Sequence, residues 1–111
     1  MGNRFRVLYM PEASGFLRTL EPKVQSKILF NIDRALIRLD PMLFKKLNRD
    51  IWEFRTAYGG NQYRLLAFWD KRTKLDTLVI ATHGFMKKTD KVPGKEIQRA
   101  ETAMNLYFKT T

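Results

Sequence analysis

Two arginines and a pair of lysines stand between residues 52 and 93, where their side chains could act together on an anion. The segments that carry them read WEFR at 52–55, GGNQYRLLAF at 59–68 and HGFMKKTDKVP at 83–93. Arg55 and Arg64 interrupt patterns that alternate like β-strands, and a packed core gives no reason for either charge. Guanidinium groups bind phosphate oxygens through two parallel hydrogen bonds and keep their charge at working pH. The pattern favours a hairpin that binds an anion, with RNA phosphate as the first candidate.

The dipeptide Gly59-Gly60 predicts how the two arginines are placed. Two glycines can adopt positive φ at both central positions of a type I′ turn, and such a turn sets Arg55 directly across from Arg64. The core-facing side of the hairpin is then formed by Trp52, Phe54, Leu65 and Ala67. Like charges opposite each other destabilise a sheet by roughly 0.2–1 kcal/mol, so we expect an anion between the two side chains. The alternative is that both extend into solvent, with Glu53 pairing with one of them.

The segment from 83 to 91 brings a histidine, an aromatic ring and three lysines close together after a predicted apolar strand. Crowded ammonium groups lose a proton more readily than isolated ones, so a lysine here could take part in proton transfer. RNA cleavage by the 2′-hydroxyl needs proton transfer and stabilised phosphate charge, and this route requires no metal. A lone histidine is more often structural than catalytic, and Lys87-Lys88 by itself is most often a solvated turn.

Composition excludes several other chemistries. The 111 residues include no cysteine and one histidine, which rules out disulfides and thiolate catalysis and makes a histidine metal cluster implausible. Neither a GxGxxG nor a P-loop pattern is present. Ser14 and Ser26 fall in predicted helices far from His83, so a serine hydrolase triad has little support. We therefore expect neither a metal nor a cofactor.

Charge and hydrophobicity indicate the class of partner and the compartment. A net charge of +10 commonly reflects binding to polyanions, although a merely soluble basic surface is the alternative. A hydrophobic content of 44% supports one core, and we expect a single domain over 1–111. The chain lacks a run of about 20 apolar residues, and residues 1–10 lack the apolar stretch of a signal peptide. These features predict a cytoplasmic protein that does not bind a membrane.

The elements that must position these groups follow from hydrophobic spacing. Alternation over residues 5–9 predicts a strand, and residues 16–20 predict a short helix. A longer helix begins at Pro22 and ends at Asp40-Pro41, with an apolar stripe of Val24, Ile28, Ile32, Leu36 and Leu39. Residues 42–50 read as a connection, followed by strands at 52–58, 61–69 and 75–83 and a helix at 93–108 with Pro93 at its first position. This order predicts an α+β fold in which a strand and a helical hairpin pack on a small antiparallel sheet, with a C-terminal helix.

Three segments together resemble a known family. They are LNRDIWEFR at 47–55, YGGNQYRLLAFWD at 58–70 and IATHGFMKKTDKVPGKEIQRA at 80–100. In order and spacing the chain resembles the RelE/ParE superfamily of small bacterial toxins, and most closely its HigB-like branch, often found in phages. The resemblance implies the compact RelE-like fold. It also implies a toxin of a type II toxin–antitoxin system that cuts mRNA on the ribosome and is inhibited by a cognate antitoxin, expected to be a helix-turn-helix protein.

The resemblance also suggests which residues act. Arg55 and Arg64 match the arginines of the hairpin and are predicted to clamp phosphate, while Lys87 and His83 are predicted to transfer protons or stabilise charge. The remaining candidates are predicted to bind RNA: Lys45, Lys46, Arg49, Tyr58, Phe85, Lys88 and Lys91. Asn48-Arg49-Asp50 stands where the family often has glycine. Some relatives use a tyrosine near the C-terminus, but the helical phase of Tyr107 indicates packing.

Two other functions are compatible with this sequence. A ParE-like protein would share the fold but bind a topoisomerase and cut nothing, and a third possibility is a catalytically inactive nucleic-acid-binding relative. A protein-binding module has no need to concentrate cations around one sheet face, so the arginines and the lysine-rich segment favour the endoribonuclease.

Overall fold

A five-stranded sheet separates the helices of the protein into two layers. The computed structural model describes residues 5–73 and 77–111. In chain order the elements are β1 (Arg6–Tyr9), α1 (Pro11–Arg18), α2 (Pro22–Arg38), β2 (Phe44–Lys46), β3 (Trp52–Tyr58), β4 (Asn61–Asp70), β5 (Leu78–Lys87) and α3 (Gly94–Thr110). The strand order is β1-β5-β4-β3-β2. The α+β class and the element order are those predicted, with one strand added.

The helical hairpin covers one face of the sheet. Pro11 and Pro22 begin α1 and α2 at positions where a missing N–H breaks no helical hydrogen bond. Ala13 and Leu17 of α1 are buried, as are Val24, Ile28, Asn31, Ile32 and Ala35 of α2. Leu39 does not continue this stripe, because it ends the helix in the left-handed region at φ 52° and is 37% exposed.

The β3–β4 hairpin has the predicted register. Gly59 and Gly60 adopt φ values of 60° and 80°, and Arg55 pairs directly with Arg64. The predicted core side is also confirmed, since Phe54, Leu65 and Ala67 are buried in the cluster under α1 and α2 and Trp52 packs against it.

Three features of the sheet differ from the sequence expectations. The predicted connection at 42–50 contains β2, because Phe44 is buried and its ring stacks 4.3 Å from that of Phe54. β1 pairs with β5 in parallel, so the sheet is mixed around an antiparallel β3–β4–β5 meander. β5 continues to Lys87, so residues 84–87 form strand where a loop was predicted. The predicted start of this strand at Leu75 lies outside the described residues.

α3 packs on the other face of the sheet. Ala100 is fully buried there with Leu66, Phe68 and Ile80, and Tyr107 packs against this cluster as its helical phase predicts. Pro93 is the N-cap of α3, one position before its predicted place. None of the helices in residues 5–73 and 77–111 is both long and apolar enough to cross a membrane.

Candidate functional site

The candidate site lies on the face of the sheet that carries α3. Strand alternation places Arg55 opposite Arg64, Arg64 opposite Phe85, and Gln62 opposite Lys87 on this face. Lys45 lies on the edge strand β2, where it pairs with Glu53 of β3 and points to the same side of the sheet. Near the C-terminal end of β4, around Phe68, the same face of the sheet is covered by α3. We call residues 45, 53, 55, 62, 64, 85 and 87 the arginine face.

Glu53 is the centre of the arginine face. Its Oε1 lies 3.0 Å from Nε of Arg64, and its Oε2 lies 3.7 Å from Nε of Arg55. Arg64 is only 2% exposed and donates from Nη1 to the Tyr63 carbonyl at 2.9 Å. Burial lowers the pKa of Arg64, and the neighbouring carboxylate of Glu53 opposes that shift. The guanidinium keeps its charge because its ordinary pKa is very high.

The anion expected between the two arginines is therefore provided, in part, by the protein. The sequence alternative in which Glu53 pairs with one arginine is also incomplete, because Glu53 contacts both. Two guanidinium groups against one carboxylate leave one positive charge in excess. Nε of Arg64 lies within hydrogen-bond distance of Glu53, whereas Nε of Arg55 is buried and has no hydrogen-bond partner within the described residues. The cluster thus retains excess positive charge, and its free donor capacity lies on Arg55.

Arg55 is the accessible member of the pair. Its side chain is 29% exposed, and Nη1 donates a long hydrogen bond of 3.5 Å to the Pro41 carbonyl. Arg64, in contrast, is enclosed, with Nη1 and Nη2 both 3.4 Å from Oε1 of Gln62. A ligand arriving from solvent meets Arg55 first.

Lys87 and Phe85 extend the arginine face along β5. Phe85 is partly buried, whereas Nζ of Lys87 donates to the Asp90 carbonyl at 3.1 Å, in the turn that follows the strand. This bond anchors the ammonium group near the end of the face opposite Gln62. Lys88 and Lys91 are exposed in the same turn.

His83 is enclosed beneath the start of α3. It is 2% exposed, its Nε2 lies 3.0 Å from Oε1 of Glu96, and its Nδ1 lies 2.9 Å from the Thr82 hydroxyl. A neutral ring protonated on Nε2 satisfies both contacts, donating to Glu96 and accepting from Thr82. Burial lowers the pKa of His83, and the hydrogen bond to Glu96 opposes that shift only in part. This geometry is typical of a histidine that ties a helix to a strand.

The other predicted RNA-binding residues are divided between the two sides of the protein. Lys45 and Lys46 are both exposed on β2, but Lys45 lies on the arginine face, whereas Lys46 pairs with Trp52 and lies on the opposite face of the sheet. Arg49 is exposed in the following turn. The side chain of Asn48 shapes that turn by accepting from the N–H groups of Asp50 and Ile51 at 3.0 and 2.8 Å. The turn therefore has an ordered form without the glycine expected there.

Tyr58 is separated from the arginine face. It shares the strand parity of Phe54 and lines a groove with α2, on the opposite side of the sheet. The sequence prediction grouped Tyr58 with the arginines, although the register already implied opposite faces.

Three residues of the site were not predicted as functional from the sequence. Glu53 and Gln62 follow from strand alternation around Arg55 and Arg64, so a signal for them existed. Glu96 contacts His83 from 13 positions along the chain, and no local pattern indicates that contact. Within residues 5–73 and 77–111, no three His, Asp or Glu side chains group as a metal site.

A second cluster at the far end of β4 has balanced charge. Oδ1 and Oδ2 of Asp70 accept from Nε and Nη2 of Arg72 at 3.0 and 2.9 Å, and Oδ2 accepts from the Tyr107 hydroxyl at 2.8 Å. These bonds hold the pKa of Asp70 well below its usual range, with the Arg72 hydrogen bond as the largest cause. This cluster joins the end of β4 to α3.

The fold defines a structural class. The chain superposes on a chain from the crystal structure of the toxin–antitoxin complex RelBE2 of Mycobacterium tuberculosis with a TM-score of 0.57 and 21% identity. The match covers 76% of this chain and 99% of that one. The protein therefore shares the α+β fold of that chain.

The sequence match defines the family. Residues 15–105 match the family model described as "Phage derived protein Gp49-like (DUF891)". The chain belongs to this Gp49-like, phage-derived family. No curated protein matches the chain.

Proposed function

We propose that the protein is the toxin of a type II toxin–antitoxin system, of the HigB-like branch, and acts as an endoribonuclease that cleaves mRNA on the ribosome. Its RelE toxin fold, its phage-derived family and its net charge of +10 support this assignment. The observation that carries it is the excess positive charge of the Arg55–Glu53–Arg64 cluster.

The cluster suits a phosphodiester. The partly exposed guanidinium of Arg55 can donate to phosphate oxygens, and the charge excess of the cluster favours an anion. Preorganised donors of this kind stabilise charge on phosphate oxygens without reorganising during the reaction. Glu53 limits the excess positive charge to one, so the protein can fold without a ligand and the cluster still attracts an anion.

The two arginines have different roles in this proposal. Arg55, with 29% of its side chain exposed, contacts the scissile phosphate. Arg64, buried and bonded to the Tyr63 carbonyl, contributes positive potential from below and fixes Glu53 and Gln62.

Proton transfer is assigned to Lys87 and not to His83. Lys87 lies at the open end of the arginine face with Nζ oriented by the Asp90 carbonyl. His83 would have to break its contact with Glu96 to reach a substrate, so we assign it the positioning of β5 against α3. Phe85 offers its ring to a base, and Lys45, Lys46, Arg49, Lys88 and Lys91 bind flanking phosphates.

The proposed cleavage needs no reactant other than the RNA itself. The 2′-oxygen attacks phosphorus, its proton passes to a base, and the bond from phosphorus to the 5′-oxygen breaks as that oxygen is protonated. The products are a 2′,3′-cyclic phosphate and a 5′-hydroxyl. The protein supplies orientation, charge stabilisation and proton transfer.

We also propose an antitoxin partner of the helix-turn-helix type. The solved chain with the same fold comes from a toxin–antitoxin complex, which supports such a partner. An acidic segment of the antitoxin would occupy the phosphate position beside Arg55, and a complex that leaves the arginine face empty would contradict this.

The test measures single-turnover cleavage of mRNA on purified translating ribosomes. Removing one charge-stabilising donor costs about 10²–10³-fold in rate, so Arg55→Ala should lose about that much. Lys87→Ala should be strongly impaired, whereas His83→Asn should lose less activity. Lys109→Ala, at the exposed end of α3, is the charge-matched control and should cleave normally.

Other outcomes identify the alternatives. Full cleavage by Arg55→Ala would rule out a phosphate-binding role for Arg55. A greater loss of cleavage rate in His83→Asn than in Lys87→Ala would reverse the proton-transfer assignment. DNA damage on expression without RNA cuts would indicate a ParE-like topoisomerase inhibitor.

A further inference from the structure

α2 carries a stripe of cations on the side of the sheet opposite the arginine face. Residues spaced by three, four or seven positions align on one side of a helix, and on α2 these are Lys23, Lys27, Phe30, Arg34 and Arg38. We call this set the α2 stripe. Within the described part of the chain, no carboxylate forms an ion pair with any of its four cations.

An exposed ring lies at the centre of the α2 stripe. Phe30 is 52% exposed, with Nζ of Lys27 5.4 Å and the guanidinium carbon of Arg34 5.7 Å from its ring centroid. Tyr58, 37% exposed, lines the same groove of about 510 Å³ with Lys23 and Lys27. Two open rings among cations form a surface that neither the core nor the arginine face explains.

The groove continues to the tip of the β3–β4 hairpin. From Tyr58, a second groove of about 360 Å³ runs past Gly59 and Asn61, with the exposed Glu21 on its other side. The next residue, Gln62, belongs to the arginine face, opposite Lys87. A single strand that leaves the arginine face over the hairpin tip therefore meets Tyr58 first and the α2 stripe next.

We propose that the α2 stripe and Tyr58 form a second RNA-binding surface, which holds the single-stranded segment next to the one at the arginine face. Cations neutralise its phosphates, and Phe30 and Tyr58 stack on its bases. This inference deepens the proposed function and rests on RNA as the ligand.

RNA fits this surface better than a partner helix does. A helix bound in a groove requires apolar anchors at intervals of three, four and seven residues, whereas the α2 stripe places four cations around one ring. An acidic amphipathic helix would rest on Phe30 and on Ile37, which is 62% exposed, so it is the competing occupant that the experiment must separate.

The experiment measures binding of a fluorescent 2′-O-methyl RNA of about 12 nucleotides, which lacks the attacking hydroxyl and cannot be cleaved. Each phosphate contact on a single strand contributes about 0.7 to the slope of log affinity against log salt. Lys23→Gln/Lys27→Gln/Arg34→Gln should therefore lower the slope by about 2. The control Lys71→Gln/Lys95→Gln/Lys109→Gln removes the same charge elsewhere and should change the slope little.

Two ring substitutions separate RNA from a partner helix. Loss of base stacking should weaken RNA binding about fivefold or more in both Phe30→Ala and Phe30→Leu, because leucine has no ring face. A partner helix would tolerate Phe30→Leu. Photo-cross-linking of the RNA with 4-thiouridine should label residues near Phe30 and Tyr58.

The inference is wrong if the wild-type protein does not bind this RNA, if the two triple variants have the same slope, or if cross-links are confined to β5. It is also wrong if the charge variants weaken binding only to a Glu-rich helical peptide. Because cleavage is not measured, loss of the proposed enzymatic activity would appear separately, in the ribosome assay.

Discussion

The two ends of β4 carry arginine–carboxylate clusters with different charge balance on the same face of the sheet. At one end Glu53 is shared between two arginines, and Arg64 is 2% exposed. At the other end Asp70 accepts two hydrogen bonds from Arg72 and one from Tyr107, and Arg72 is 45% exposed.

The two clusters differ in how completely their charges and hydrogen bonds are satisfied. The Asp70 cluster satisfies its carboxylate and joins β4 to α3. The Glu53 cluster keeps one excess positive charge and, within the described residues, a buried Nε of Arg55 that has no hydrogen-bond partner. Burial of an incomplete cluster costs stability, and the phosphate proposed above as its ligand would complete it.

The largest expected effect is the loss of stability in Arg64→Ala. Removing one partner of a buried ion pair leaves the other charge uncompensated, and we expect a loss of about 3 kcal/mol in the free energy of unfolding. Arg72→Ala should lose much less, because that arginine is largely solvated. Urea unfolding of both variants measures the difference.

A double variant tests whether the loss in Arg64→Ala comes from the uncompensated charge of Glu53. Arg64→Met/Glu53→Gln removes both charges and should recover much of the stability lost in Arg64→Ala. Equal losses for Arg64→Ala and Arg72→Ala would show that burial does not distinguish the two clusters.

Neutralising the carboxylates should affect the two clusters differently. Glu53→Gln leaves two guanidinium groups opposed across the hairpin, so stability should fall by about 2 kcal/mol. Affinity for an uncleavable RNA should rise several-fold, because an internal competitor for phosphate is removed. Asp70→Asn should lower stability and leave RNA affinity unchanged, and a gain in RNA affinity there would show that the effect is not specific to the Glu53 cluster.

A smaller effect concerns pH and the enclosed His83. Burial lowers the pKa of His83 in the folded state, so the unfolded chain takes up a proton first as pH falls below about 6.5. Between pH 7 and 5, this histidine should therefore reduce stability as pH falls, by at most about 1.4 kcal/mol per pH unit. Urea unfolding of His83→Asn should show a flatter profile, and an unchanged profile would mean that His83 does not titrate in this range.

Local patterns predicted much of the fold and part of the site. Gly59-Gly60 fixed the hairpin, and with it the pairing of Arg55 with Arg64. Alternation alone also places Glu53 with the arginines and Tyr58 away from them, so both facts were available from the sequence. The sharing of Glu53 by two side chains depends on rotamers and distances, which alternation does not determine.

Non-local contacts account for most of what the sequence did not predict. β2 has three residues, and its place depends on Phe44 stacking on Phe54. The parallel pairing of β1 with β5 joins segments about 70 positions apart. The contact of His83 with Glu96 depends on how α3 docks, so a strand-end histidine could not be distinguished from a catalytic one.

In the proposed function the excess charge of the Glu53 cluster serves RNA cleavage, and primer extension on cellular mRNA measures that cleavage. After induction of the wild-type protein, we expect new 5′ ends within translated codons. We expect none with Arg55→Ala, and a normal set with Arg72→Ala. Unchanged cuts with Arg55→Ala, or no cuts with the wild-type protein, would contradict the account.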